Sequence, residues 1–173
     1  MRGPIALIGM MGSGKTSIGR ALSQILSLPW VDLDRELEKR HHQRVSRQFQ
    51  VSGEAVFRRR EAALLRALCR RGPVVLSTGG GVVLRADNRL LLRRFGAVYL
   101  AVSPRVLAQR LEHESAQRPL LQGGEGNLES KLSRLLRQRG HLYRTCARWT
   151  VRASQGGPEA VAQRIKVRLQ AGA

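Results

Sequence analysis

The chain has 173 residues, and its 31 Lys and Arg against 12 Asp and Glu give a formal net charge of +19. That length suits one domain burying roughly 70% of the surface its unfolded chain would expose, and no apolar run reaches the ~20 residues of a membrane-spanning helix. Cys69 and Cys146 are far apart and lack metal-ligand spacing, which speaks against a disulfide framework or a zinc site and for buried free thiols.

The charge excess is nearly all arginine, 27 Arg to 4 Lys, in short clusters at 58, 70 and 93. With aromatic residues at only 4%, a base-stacking platform for nucleic acid is not supported, and the basic surface reads as solvated and anion-attracting. The N-terminus enters "IALIG" with no signal or transit segment ahead of it, so a cytoplasmic location is expected.

In chain order, "PIALIG" reads as a strand, "KTSIGRALSQIL" as a helix and "WVDL" as a second strand. Residues 41–53, "HHQRVSRQFQVSG", break the rhythm; the adjacent His41 and His42 would point about 100° apart on a helix and read as solvated. The long pattern "EAVFRRREAALLRALCRR" places Ala62, Leu65, Leu68 and Cys69 at helical spacing, so Cys69 reads as core. There follow a strand at "VVLST", a helix at "NRLLLRRF", a strand at "AVYLAV" and a helix at "PRVLAQRLEH". Residues 113–127, "HESAQRPLLQGGEGN", combine Pro with glycines and read as a mobile lid. The chain closes with a helix at "LESKLSRLLRQRGHLY", a strand at "ARWTVR" and a helix at "PEAVAQRIKVRLQ". This βα alternation, with continuously apolar strands, predicts an α/β protein on a parallel sheet buried on both faces.

Between the first strand and the first helix, "GMMGSGKT" from Gly9 to Thr16 satisfies G-x-x-x-x-G-K-[ST] in the strand–loop–helix setting that gives the pattern meaning. Gly12 and Gly14 let backbone N–H groups close around phosphate oxygens, Lys15 reaches the β and γ phosphates, and Thr16 offers a hydroxyl to Mg²⁺. The third strand carries no acid at its end, whereas "WVDLD" supplies Asp32 and Asp34. If the strand persists, alternation turns both toward the loop; Asp34 could equally cap the next helix. In "FRRRE", Arg58 and Glu61 are i,i+3 neighbours, so the carboxylate can hold the guanidinium while it pairs with an incoming anion, although a plain surface ion pair would look the same. Gly79, Gly80 and Gly81 directly follow a strand, and three residues without side chains allow a ligand close to the backbone.

The P-loop, "DLD", "FRRRE", "STGGG", "RPLL" and "RQRGHLY", in this order and spacing, resemble shikimate kinase over essentially the whole chain. The resemblance implies a single domain of the P-loop, nucleoside-monophosphate-kinase-like fold, with three layers and a five-stranded parallel sheet ordered 2-3-1-4-5. It also implies a small substrate-binding subdomain at 34–61 and a lid at 113–127. The implied reaction moves the γ-phosphoryl of ATP, with Mg²⁺, to the 3-hydroxyl of shikimate in aromatic amino-acid biosynthesis, in a monomeric enzyme.

By position, Lys15, Asp34 and Arg118 resemble the catalytic residues, Asp34 as a possible base and Arg118 as the lid arginine. Nucleotide contacts fall on Gly12, Ser13, Gly14, Lys15, Thr16, Ser17, Arg118 and Gln155, with Arg110 stacking near the adenine. Arg58 and Arg139 resemble the pair that grips the carboxylate, held by Glu61. Phe49 and Phe57 resemble the apolar walls of the ring pocket, and Asp34, Gly79, Gly80, Gly81, Pro119 and Leu120 complete it. Beside Thr16, Asp32 resembles a water-mediated support of Mg²⁺, joined by Ser77.

The chain departs from the family pattern where relatives carry Gly-x-Ser-Ile, an acid and Ile before the residue matching Phe49. Here "HQRVSRQF" has His42, Arg44, Val45, Arg47 and Gln48. After the last strand, "SQGGP" stands where many relatives place a long side chain. Two rival readings are a kinase of another small hydroxy acid such as gluconate, which would lack "FRRRE" and "RPLL", and a ligand-sensing domain on the same scaffold without turnover.

Overall fold

The computed structural model describes residues 3–112 and 127–171. Its five strands are β1 (Ile5–Ile8), β2 (Trp30–Asp32), β3 (Val75–Ser77), β4 (Ala97–Ala101) and β5 (Ala147–Arg152). They form one parallel sheet in the order β2-β3-β1-β4-β5, with Ile5 opposite Val75 and Leu7 opposite Val98. All five expected strands form, in the expected order. β1 lies at the centre and is wholly buried, as an unbroken run of Ile, Ala, Leu and Ile requires of a strand covered on both faces.

Among the described residues seven helices surround the sheet: α1 (Lys15–Leu26), α2 (Leu33–His41), α3 (Val45–Cys69), α4 (Ala86–Phe95), α5 (Pro104–Leu111), α6 (Leu128–Cys146) and α7 (Pro158–Ala171), with one 3-10 turn at Val82–Leu84. α1 packs on α7, while α4 packs on α6 with α3 and α5 to either side. Ile18 and Leu22 of α1, Leu65 and Leu68 of α3 and Ile165 of α7 enter one continuous core with the strands. Cys69 is part of that core, and burial pushes its thiol up to about 11, where it is inert as a nucleophile. No helix among the described residues is long and apolar enough to cross a membrane.

Two segments differ from the sequence expectation. The second strand stops at Asp32, and Leu33 opens α2, so alternation along a strand does not orient Asp34. The polar stretch 41–53 is helical: His42 closes α2 in the left-handed region at φ 50, and α3 begins at Val45. Arg44 provides no side-chain cap; Glu38 instead accepts the Val45 N–H at 2.9 Å. Gln48 is fully buried and donates to the carbonyls of Gln43 at 3.0 Å and Leu37 at 3.4 Å while accepting from Arg60. Val45 and Gln48, two of the departures, thus tie the end of α2 to both limbs of α3. At Gly53, φ 75 and ψ 162 break α3 in two, a conformation that glycine adopts at little cost.

Candidate active site

In a parallel α/β sheet, ligands gather beyond the carboxyl ends of the strands, where neighbouring connections diverge. Beyond β1 lies the loop Gly9–Gly14. Gly12 has φ 76, and a Cβ there would fall 2.8 Å from Leu111 Cγ, so both the backbone and the space demand glycine. Gly14 opens α1 at φ 88 with no side-chain cap and no acid in the first turn, which leaves the helix N–H groups directed at the loop interior. Lys15 is buried, and its ammonium donates to the carbonyls of Gly9 at 3.0 Å and Met10 at 2.7 Å and to Ser13 Oγ at 3.4 Å. Ser17 lies exposed on the first turn of α1.

Asp32 connects this loop to the next element. Its Oδ2 accepts from Thr16 Oγ1 at 2.8 Å, and its Oδ1 accepts the N–H groups of Asp34 at 3.1 Å and Arg35 at 3.3 Å. The helix cap is therefore Asp32, and Asp34 is released from that duty. Asp34 Oδ1 instead lies against Gly79, only 2.9 Å from where a Cβ would stand. Burial first and then the Asp32 carboxylate push the Asp34 carboxyl up to about 6, against the opposing pull of Lys15 and Arg58. A carboxyl that feels both cations lies between the phosphate loop and the guanidinium pocket.

That pocket is built on the second limb of α3. Arg58 Nη1 donates to Glu61 Oε2 at 2.9 Å, and its Nε and Nη2 both donate to Glu54 Oε1 at 3.2 Å. Its guanidinium lies 5.4 Å from the Phe49 ring centroid and 5.3 Å from that of Phe57, and the two rings are 4.5 Å apart. Glycine at 81 is obligatory, because any side chain would occupy the space of the Arg58 guanidinium. Glu61 is completely buried, its Oε1 has no hydrogen-bond partner among the described residues, and burial raises its carboxyl to about 7 despite Arg58. Arg139, on α6, is also buried, with no partner for its Nη1 among the described residues. Arg139 and Arg58 both lie within electrostatic reach of Tyr143, and buried polar atoms without partners are rare enough that these two suit a polar ligand.

The glycine run fills out between these parts. Gly79 faces Asp34 and Glu61, Gly80 approaches the loop backbone with its Cβ direction 3.4 Å from Met11 N, and Gly81 faces Arg58. Ser77, which the resemblance joins to the Mg²⁺ supports, makes its hydrogen bonds within the protein. Its hydroxyl donates to the Lys15 carbonyl at 2.7 Å and accepts from Trp30 Nε1 at 3.0 Å, so it fixes the start of α1 to the sheet. On the opposite side, Arg110 donates to the carbonyls of Ala153 at 2.9 Å and Gly12 at 3.4 Å, joining the phosphate loop to the segment after β5. The Gln155 carbonyl in that segment accepts from Arg164 of α7 at 2.8 Å. Arg118, Pro119 and Leu120, with nearly all of the lid expected at 113–127, lie outside the described residues; Asn127 is described and caps α6 by accepting the Ser130 N–H at 2.9 Å.

Sequence reasoning missed Glu54, which bonds the outer edge of Arg58, and Tyr143, whose hydroxyl donates to the Gly80 carbonyl. The i,i+4 spacing of both from residues already singled out, Arg58 and Arg139, was the available signal.

Comparison with known proteins agrees with this geometry. The shikimate kinase family model matches residues 11–170. A shikimate kinase of Nitrosomonas europaea is 39% identical over 168 residues, 97% of this chain and 79% of that protein. One of Chromohalobacter salexigens is 44% identical over 162 residues, 93% of this chain and 88% of that protein. Among solved structures, a shikimate kinase from Acinetobacter baumannii in complex with shikimate matches with a TM-score of 0.92 at 37% identity, covering 98% of this chain and 94% of that one. The carboxylate pair, the arginine pocket and the phosphate loop from Met11 onward fall within the matched span, and the chain belongs to the shikimate kinase family.

Proposed function

We propose that this chain transfers the γ-phosphoryl group of ATP to the 3-hydroxyl of shikimate, a step in aromatic amino-acid biosynthesis. The observation that carries this reading is the position of Asp34, against Gly79 and within electrostatic reach of both Lys15 and Arg58. One carboxyl there can meet a ring hydroxyl while a phosphate chain and a ring carboxylate are held on either side.

The acceptor has one negative charge and several hydroxyls. Arg58 and Arg139 take the carboxylate, which replaces Glu54 on the Nε and Nη2 edge of Arg58; Glu54 is half-exposed and returns to solvent at little cost. Glu61 keeps Nη1 and so keeps the fork aimed. Phe49 and Phe57 offer the ring an apolar wall, and the glycine run lets it approach the backbone.

With the acceptor so held, its hydroxyl oxygen attacks the γ-phosphorus in line and the bond from that phosphorus to the bridging oxygen breaks. The hydroxyl proton passes to Asp34 and then to solvent, and ADP departs with the electron pair. Raised to about 6, Asp34 is ionised at neutral pH yet basic enough to accept that proton. Lys15 and the N–H groups opening α1 bear the charge that spreads over the phosphoryl oxygens, and Arg118 is assigned the same duty from the lid.

Thr16 Oγ1 and Asp32 Oδ2 fit Mg²⁺, which takes one or two protein oxygens and completes its shell with phosphate and water. When bound there it neutralises phosphate charge. Among the described residues no cluster of three or more His, Cys, Asp or Glu side chains could hold a metal, so an all-protein cage is not the arrangement on offer. The family likeness supports a cytoplasmic monomer.

The test is ADP release from ATP and Mg²⁺ across several hydroxy acids. Acceleration by shikimate is expected; acceleration by gluconate alone, or by none, rejects the reading. A second expectation concerns Arg58→Ala. It should raise the KM for shikimate about 100-fold and move that for ATP less than threefold, because the charged fork it removes touches only the acceptor side. Equal losses for the two substrates would contradict the assignment.

A further inference from the structure

Tyr143 lies four residues after Arg139 on α6 and has no exposed surface. Its ring stacks on Tyr99 of β4 with centroids 5.1 Å apart, which fixes it to the central sheet. Its hydroxyl donates to the Gly80 carbonyl and lies 3.6 Å from Met10 Sδ, and the Arg139 guanidinium faces the same oxygen.

These contacts put one hydroxyl where the two halves of the site meet. Gly80 is the glycine pressed on the phosphate loop, its Cβ direction 3.4 Å from Met11 N and 3.6 Å from Gly9 O. The carbonyls of Gly9 and Met10 in turn hold the Lys15 ammonium. A chain of contacts runs from Arg139 through the Tyr143 oxygen to Gly80, then to the loop and Lys15. We propose that Tyr143 is a positioning residue whose hydroxyl sets the spacing between the acceptor pocket and the phosphate loop. This rests on the phosphoryl transfer proposed above.

The consequence falls on kcat. Each half of the site retains its own scaffold without this hydroxyl: Lys15 and Ser13 hold the loop, and Glu61 and the two phenylalanines hold Arg58. What loosens is the distance between the reacting oxygen and phosphorus, and small misplacements there cost orders of magnitude in rate. Burial pushes the phenol well above its ordinary value, so it remains a neutral donor at any pH where the protein works.

Tyr143→Phe keeps the ring, its volume and the stacking on Tyr99, and removes only the O–H. The expected result is a fall in kcat of about 10- to 100-fold, with the Kd of shikimate alone and of ADP alone each within threefold of the parent. Tyr99→Phe removes a hydroxyl from the same stack without touching Gly80 and should leave kcat within twofold. A rise in shikimate KM at unchanged kcat would overturn the proposal by confining the hydroxyl to Arg139. Parental kinetics with only a lowered Tm would overturn it too, leaving a role in stability alone. The parent enzyme's turnover of shikimate is read in the same experiment, so failure of the functional reading is seen separately.

Discussion

Replacing Asp34 by Asn is expected to abolish most activity and to stabilise the protein at the same time. Asn keeps the size of the side chain but neither ionises nor accepts a proton, so kcat/KM for shikimate should fall about 10²- to 10⁴-fold. Stability moves in the opposite direction because the native site holds this carboxyl at about 6, above its ordinary 3.8. The folded chain therefore binds a proton that the unfolded chain has already released between those two values. Stability falls as pH rises through that window, and the full cost is borne above pH 6.

Asn escapes this cost. At pH 8 the variant should be more stable than the parent by about 3 kcal/mol, and at pH 3 the difference should vanish. The parent's kcat/KM should rise with pH through about 6 as Asp34 ionises, broadened by Glu61, which titrates at about 7. Urea melts at the two pH values together with the pH–rate profile check both halves. A variant that loses activity without the gain at pH 8 would show that Asp34 is not held against its charge.

The second large effect is expected from Lys15→Met. The unbranched methionine fills the same channel, so burial is kept while the donors to Gly9 and Met10 disappear. In a reaction with little covalent work for the protein, one cation on the transferring group supplies several kcal/mol. We expect kcat to fall about 10³-fold while ADP affinity, set largely by backbone N–H groups, changes less than tenfold. Steady-state rates and calorimetric titration with ADP separate the two quantities. Retention of more than a tenth of the parental kcat would mean that Lys15 does not reach the transferred phosphoryl group.

The sheet and the phosphate loop were legible because their signals are local. An apolar run such as "IALI" can only be a buried strand in this setting, and G-x-x-x-x-G-K-T between strand and helix has few other uses. α2 was harder to see. It buries only Leu33 and Leu37, and its remaining residues are charged or polar, so its apolar stripe is one turn long.

The first limb of α3 was hidden for a related reason. Its buried anchor is Gln48, a polar residue whose burial is made possible by three partners 5, 11 and 12 positions away, and no periodicity of apolar residues records that. The two aspartates reached the site by a route the pattern did not foresee: Asp32 ends the strand, and the first turn of the helix delivers Asp34. Ser77 and Tyr143 depend on partners 62 to 133 positions away, Lys15, Gly80 and Met10, so their roles appear only in three dimensions.

Asp32 devotes one oxygen to the start of α2 and the other to the start of α1 while ending a strand itself. Glutamate there would reach too far for both tasks, and asparagine, with its oxygen on the α2 N–H groups, would reverse the bond to Thr16 and lose the charged oxygen on that side. This position should therefore be among the least exchangeable in the protein although it is neither core nor directly reactive. In a saturation library scored by growth, intolerance at 32 should rival that at 15.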